Sequence, residues 1–143
     1  MKIKLPPNVL FHHDLQLLVF RPRGILREKE VNRIVAFLEE AEERVAKPFN
    51  RFTDNSKLDA VDVDFQFVFR ISLRRRLVYA KRQPVKSAFY VNSPEIAHIV
   101  KLHAILTDHS PLQVKMFKDF AGAAKWLGVS VETLEMDVPF KLT

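Results

Sequence analysis

The chain reads as an α/β fold built on a single, mostly parallel sheet of four to five strands with about four helices. Three observations predict this. Residues 85–128, VKSAFYVNSPEIAHIVKLHAILTDHSPLQVKMFKDFAGAAKWLG, alternate strand, helix, strand and helix, each with its own start or stop signal. Upstream, a helical apolar stripe from about Arg27 to Ala46 separates two short runs with strand character. Strands near 50 and 86 would lie parallel, and parallel neighbours need a crossover of about a dozen residues or more, which 64–80 supplies as a helix.

Leu15 to Phe20 with Arg21 is rich in Leu and Val and stops at Pro22 and Gly24, so it reads as a strand closed by a turn. In the helix that follows, Val31, Ile34, Val35, Leu38 and Val45 share one stripe, while Glu28, Lys29, Glu30, Arg33, Glu39, Glu40, Glu42 and Glu43 cover the other side. Pro48 ends it. Phe49 to Thr53 is a short strand running into the polar Asp54-Asn55-Ser56.

Residues 61–73 fit two templates. Val61, Val63, Phe65, Phe67, Phe69, Ile71 and Leu73 alternate as in a half-buried strand, whereas Phe65, Val68, Phe69, Ser72 and Tyr79 share a helical face behind the capping residue Asp64. The crossover requirement decides for a helix over 64–80, with 58–63 extended. Lys86 to Val91 is the next strand, and Ser93-Pro94-Glu95 starts a helix whose inner stripe is Ile96, Ile99, Val100, His103 and Leu106. After Pro111, Leu112 to Phe117 makes the last strand, Asp119 caps a short helix with Phe120, Ala123, Ala124, Trp126 and Leu127, and Gly128 stops it. Val131 to Met136 adds a final turn.

With 143 residues, 48% apolar content and 12 Phe, one core is expected, in a single domain over 1–143 with its core at about 15–128. The formal charge of +6 is local in sequence: no acid stands between Asp64 and Glu95, where Arg70, Arg74, Arg75, Arg76, Lys81, Arg82 and Lys86 all fall. Without Cys the chain has no disulfide, thiolate zinc site or thiol nucleophile, which fits a reducing cytoplasm. MKIKLPPNVLFHHD is too short in its apolar run to be a signal peptide, and no run approaches the roughly 18 residues that span a bilayer. A soluble cytoplasmic protein is the expectation.

The element order, NRFTDNS ahead of a helix, and the closing VKMFKDFAGAAKWLG together resemble the STAS-like family. These are small bacterial α/β domains related to the anti-sigma-factor antagonists of sporulation and to the cytoplasmic domains of sulfate transporters. The resemblance covers about Leu15 to Gly128 and implies protein binding rather than catalysis. Its best-understood members are switched off by phosphorylation of a serine in an Asp-Ser-Ser-Gly run at a helix start. Asp62-Val63-Asp64-Phe65 occupies that place here, keeping the first acid but neither serine nor glycine. Ser56 is the nearest hydroxyl in an acidic setting, one loop earlier.

The candidate partner-binding loop is therefore Asp54, Ser56, Asp62 and Asp64, at the strand edge where open α/β sheets bind ligands. The same acids, with Asp59, admit a cation or phosphoacceptor site; their plainer role is to cap turns and helices. Asp64 also offers a fixed negative charge where the family carries its phosphoserine. Arg70, Arg74, Arg75, Arg76 and Arg82 form a candidate basic patch for an anionic membrane surface or an acidic protein. The neighbouring Phe residues follow the core face rather than interleaving with the bases, which argues against nucleic acid.

None of His12, His13, His98, His103 and His109 has metal-ligand spacing, and His103 falls on an inner stripe as a hydrogen-bonded core residue. Gly24, Gly122 and Gly128 are isolated, so no phosphate-cradling loop exists, and neither catalytic residues nor a cofactor or metal are expected. Trp126 and the Phe set fill a core or line an apolar cavity.

The leading reading is a non-enzymatic regulatory domain that binds a protein partner or a second copy of itself. The alternative is a carrier or sensor of an apolar molecule that docks on anionic membrane through the basic helix. A wide apolar space under the helix at 64–80 would favour the second.

Overall fold

The computed structural model describes residues 4–45 and 48–137. Its strands are β1 (Val9–His12), β2 (Leu17–Phe20), β3 (Gly24–Arg27), β4 (Asn50–Asp54), β5 (Leu58–Asp62), β6 (Val85–Tyr90) and β7 (Leu112–Phe117). Its helices are α1 (Glu28–Val45), α2 (Phe65–Tyr79), α3 (Pro94–Leu106), α4 (Phe120–Leu127) and α5 (Val131–Glu135). Five strands form the main sheet in the order β1-β2-β4-β6-β7, parallel except for the antiparallel edge pair β1–β2. Each parallel step is made through a helix, as the backbone reach demands.

Alternation along the strands sorts the sheet into two faces. Leu17, Val19, Phe52 and Ala88 point to α4 and α5, packing on Ala123, Ala124, Leu127 and Leu134. On the opposite face Leu18 meets Ile34, Val35 and Leu38 of α1, while Tyr79 of α2 packs on Val85 and Leu112. Central strands buried on both faces explain the near-continuous apolar run at Leu17 to Val19.

Caps set the helix boundaries. Asp64 Oδ1 accepts from the Phe67 amide at 2.7 Å, Asp119 Oδ1 accepts from the Gly122 amide at 2.7 Å, and Pro94 opens α3 behind Ser93. At the far end of α4, Gly128 takes a φ of 74°, the left-handed C-terminal stop that glycine adopts without penalty.

The structure departs from the sequence reading in four places. The strand expected from Leu15 begins at Leu17 and is the second, because His13–Leu15 form a single 3-10 turn joining it to β1 in a hairpin. The residues after Pro22 do not simply close a turn: Gly24–Arg27 pairs in parallel with Leu58–Asp62 as a separate two-stranded sheet. On α1, Val45 is exposed while Glu42, placed on the polar side, is buried at 2% exposure. On α2 the buried face is Phe67, Val68, Ser72, Arg75 and Tyr79, leaving Phe65 at 63% and Phe69 at 48% exposure.

Candidate functional site

Between the sheet and the helices α1, α2 and α3 lies a partly open cavity of about 160 Å³. Leu38 of α1, Ile71 of α2 and Val100 of α3 belong to its apolar wall, and Arg51, Arg75 and His103 are among its polar members. The placement follows from register: Arg51 on β4 and Ser87 on β6 are paired neighbours whose side chains alternate away from Phe52 and Ala88, toward this face. Trp126 sits on α4, against the other face, and lines no part of it.

One end of the cavity is charged. Glu42 accepts from the Phe49 amide at 2.9 Å, from Arg51 Nη2 at 2.9 Å and from the Tyr79 hydroxyl. Arg82 approaches the same carboxylate at 3.5 Å. Arg51 Nη2 also reaches the Tyr79 hydroxyl at 2.8 Å, and Arg75 lies over the Tyr79 ring at 4.9 Å. Burial and the neighbouring Arg51 both press the Arg75 guanidinium below its ordinary pKa. Burial, outweighing the adjacent guanidiniums, raises the Tyr79 hydroxyl and keeps it a neutral donor to Glu42.

His103 is hydrogen-bonded, its Nδ1 2.7 Å from Ser72 Oγ and its ring edge-on to Phe89. Desolvation first, and then the charge of Arg75, lower its pKa to about 4. From pH 6.5 down to about 4 the unfolded chain therefore holds a proton here that the folded ring refuses, so stability falls as pH drops through that window. Because the side chain keeps partial exposure, we expect the loss to be roughly 2–3 kcal/mol rather than the full Born-type penalty. Urea midpoints at pH 7 and pH 4.5 should differ in the parent, and the gap should shrink in His103→Gln; an unchanged gap refutes the assignment.

The proposed loop residues do not form one surface. Asp54 is buried, its Oδ2 2.5 Å from Arg21 Nη1 and its Oδ1 accepting the Ser56 amide at 2.9 Å. Arg21 continues to the carbonyl oxygens of Leu134 and Met136, tying this edge of the sheet to the end of α5. Asp62 is exposed, with Arg27 at 3.8 Å, and Asp64 is occupied as the cap of α2. Ser56 is half-buried.

Nor do the arginines gather as a free patch. Arg75 is interior; Arg74 binds Glu39 with two hydrogen bonds at 3.1 and 2.6 Å; Arg76 donates to the carbonyl oxygens of Leu106 and Asp108 at the end of α3. Arg82 turns toward Glu42 and Arg70 stays exposed, its guanidinium 6.0 Å from the Phe67 ring centre. Lys86 donates to the Trp126 carbonyl at 2.9 Å. A run that is uniformly basic in sequence is spread by the helical turn over an interior, a helix end and two ion pairs.

Instead the outer face of α2 is apolar: Phe65, Phe69, Leu73 and Leu77, four residues apart, are all exposed large hydrophobics, with the two Phe rings stacked at 6.4 Å. Glu42, Arg51 and Arg21 escaped the sequence reading. The available signal for Glu42 was its spacing, four residues beyond Leu38 on the inner stripe. Among the described residues no three His, Cys, Asp or Glu are placed to hold a metal ion, and no helix is long and apolar enough to cross a membrane.

The overall fold is shared with a solved structure. A crystal structure of an uncharacterized protein of the DUF3478 family from Shewanella loihica, described as SpoIIAA-like, matches with a TM-score of 0.56. The fold is SpoIIAA-like. Identity is 17%, and the match covers 89% of this chain and 98% of the other, so the likeness concerns the fold alone. It agrees with the STAS-like architecture expected for residues 15–128. No family model matches the chain, and no curated protein does. On the SpoIIAA-like framework the cavity lies under α2.

Proposed function

We propose that the protein is a non-enzymatic carrier or sensor that holds an apolar ligand beneath α2 and associates with an anionic membrane surface through the outer side of that helix. The cavity of about 160 Å³ carries this reading. Its size compares with the roughly 150 Å³ apolar void that stays dry in an engineered protein and binds benzene. An apolar space with a few convergent polar groups is the general form of a small-molecule site. Support for docking comes from Phe65, Phe69, Leu73 and Leu77, exposed beside Arg70. Exposed aromatic side chains beside a base suit the boundary between headgroups and acyl chains.

Calorimetry with octanol tests the ligand part: one saturating molecule per chain is expected, with affinity reduced at least about ten-fold in the cavity-filling variant Val100→Phe. No heat of binding to the parent would reject the reading. Phe65→Ser combined with Phe69→Ser should keep octanol binding while losing co-sedimentation with vesicles rich in phosphatidylserine.

The second reading, a regulatory module that binds a protein partner or a second copy of itself, draws on the fold and on the same exposed stripe. It is favoured if the parent self-associates through Phe65 and Phe69 and ignores the vesicles. Either way the contact is apolar; reversing Arg74 and Arg75 would disturb an ion pair and the interior instead of a free cationic face.

A further inference from the structure

Resting on the carrier reading, we infer that the ligand is an amphiphile bearing a single carboxylate, its apolar chain against the three helices and its head on Arg51 and Arg75. Both arginines line the same cavity as Ile71 and Val100, and their side chains are only 3% and 5% exposed. Among the described residues, Arg51 Nε, Arg51 Nη1 and Arg75 Nη1 have no hydrogen-bond partner. Buried donors of this kind are normally satisfied, and an unpaired charged one is costly.

No protein carboxylate remains to serve them. Glu42 already accepts from the Phe49 amide, Arg51 Nη2 and the Tyr79 hydroxyl. Glu39 is held by Arg74 in a two-point contact and stands 3.7 Å from Arg75 Nη1, too far for a hydrogen bond. His103 contributes no charge near neutral pH. Around Glu42 and Glu39 stand four guanidiniums, those of Arg51, Arg74, Arg75 and Arg82, so positive charge is in excess. A carboxylate head offsets part of that excess where the two guanidiniums of Arg51 and Arg75 are most deeply buried. The planar, bidentate fork of arginine matches a carboxylate, and the wall beyond it is mostly apolar, with Thr53, Asn55, Ser87 and His103 as its other polar members.

Titration of the full chain with octanoate, octanol and inorganic phosphate separates the outcomes. Octanoate is expected to bind at least about ten-fold more tightly than octanol, which corresponds to about 1.4 kcal/mol. Inorganic phosphate alone should show no saturable binding. Equal affinity for octanoate and octanol overturns the carboxylate assignment and leaves the carrier reading standing, whereas failure of both overturns the two together. Phosphate binding as tightly as octanoate would overturn the amphiphile in favour of a free anion. In Arg75→Met the ratio of octanoate to octanol affinity should fall to about one; a folded variant that keeps the preference removes Arg75 from the site. Should that variant not fold, the ligand comparison on the parent protein still decides.

Discussion

Replacing Glu42 with Ala is expected to lower unfolding free energy by about 3–5 kcal/mol, the range found when one member of a buried ion pair is removed. Its carboxylate is fully enclosed and simultaneously accepts from the Phe49 amide, Arg51 and Tyr79, with Arg82 alongside. Truncation leaves the Phe49 amide and the Tyr79 hydroxyl without an acceptor, leaves Arg51 Nη2 only the Tyr79 oxygen, and strands the Arg51 charge beside Arg75 in a low-dielectric space. A domain of ordinary stability, about 5–15 kcal/mol, would be brought close to its threshold. Glu43→Ala, one residue along and exposed on the same helix, should change stability by no more than about 0.5 kcal/mol. Urea unfolding of both variants at pH 7 gives the comparison. A Glu42→Ala loss below about 1 kcal/mol would mean that the carboxylate does not organise this end of the cavity.

The carrier proposal depends on the same group in a different way. Glu42 holds Arg51 in place but is already fully used, so it orients the guanidinium without satisfying all of it. That incompleteness is what the proposed ligand head would satisfy. A cluster with equal numbers of acids and bases would be a structural pair; the surplus here points outward to something the chain does not itself supply.

Much of the fold is legible in the residues because its signals are local. Asp64, Pro94, Asp119 and Gly128 act within one helical turn of themselves, and each stands where a helix begins or ends. The pairing of β3 with β5 leaves no such trace, since Gly24 meets Leu58 across a helix and a strand. A four-residue strand has too few alternations to announce itself. Phe65 and Phe69 misled for a related reason: α2 is apolar on two sides, so hydrophobic periodicity could not say which side the sheet would take. Charges were the hardest to place. Arg75 and Arg74 are neighbours in sequence, yet a rotation of about 100° per residue sends one into the interior and the other to Glu39 on α1.

Asp54 provides the sharpest contrast between the two descriptions of the acidic loop. If it were a recognition residue on a free surface, Asp54→Ala would weaken complex formation and leave folding nearly untouched. The structure gives the opposite expectation. Its carboxylate neutralises Arg21, which is itself buried and bonded to the carbonyl oxygens of Leu134 and Met136. It also shapes the turn after β4 by accepting the Ser56 amide, so removal unties β2, the loop and α5 together. About 3–5 kcal/mol should be lost, because the interior Arg21 charge would keep only a long contact, 3.9 Å, to the exposed Asp137. Asp62→Ala, with a side chain 75% exposed and only a long contact to Arg27, should stay within about 0.5 kcal/mol of the parent. Hydrogen exchange supplies an independent reading: in Asp54→Ala the α5 amides should lose protection before those of β6, since α5 is a short helix whose end is held by Arg21. Equal melting of Asp54→Ala and Asp62→Ala would reverse this account and return Asp54 to the loop surface, where it could meet a partner directly.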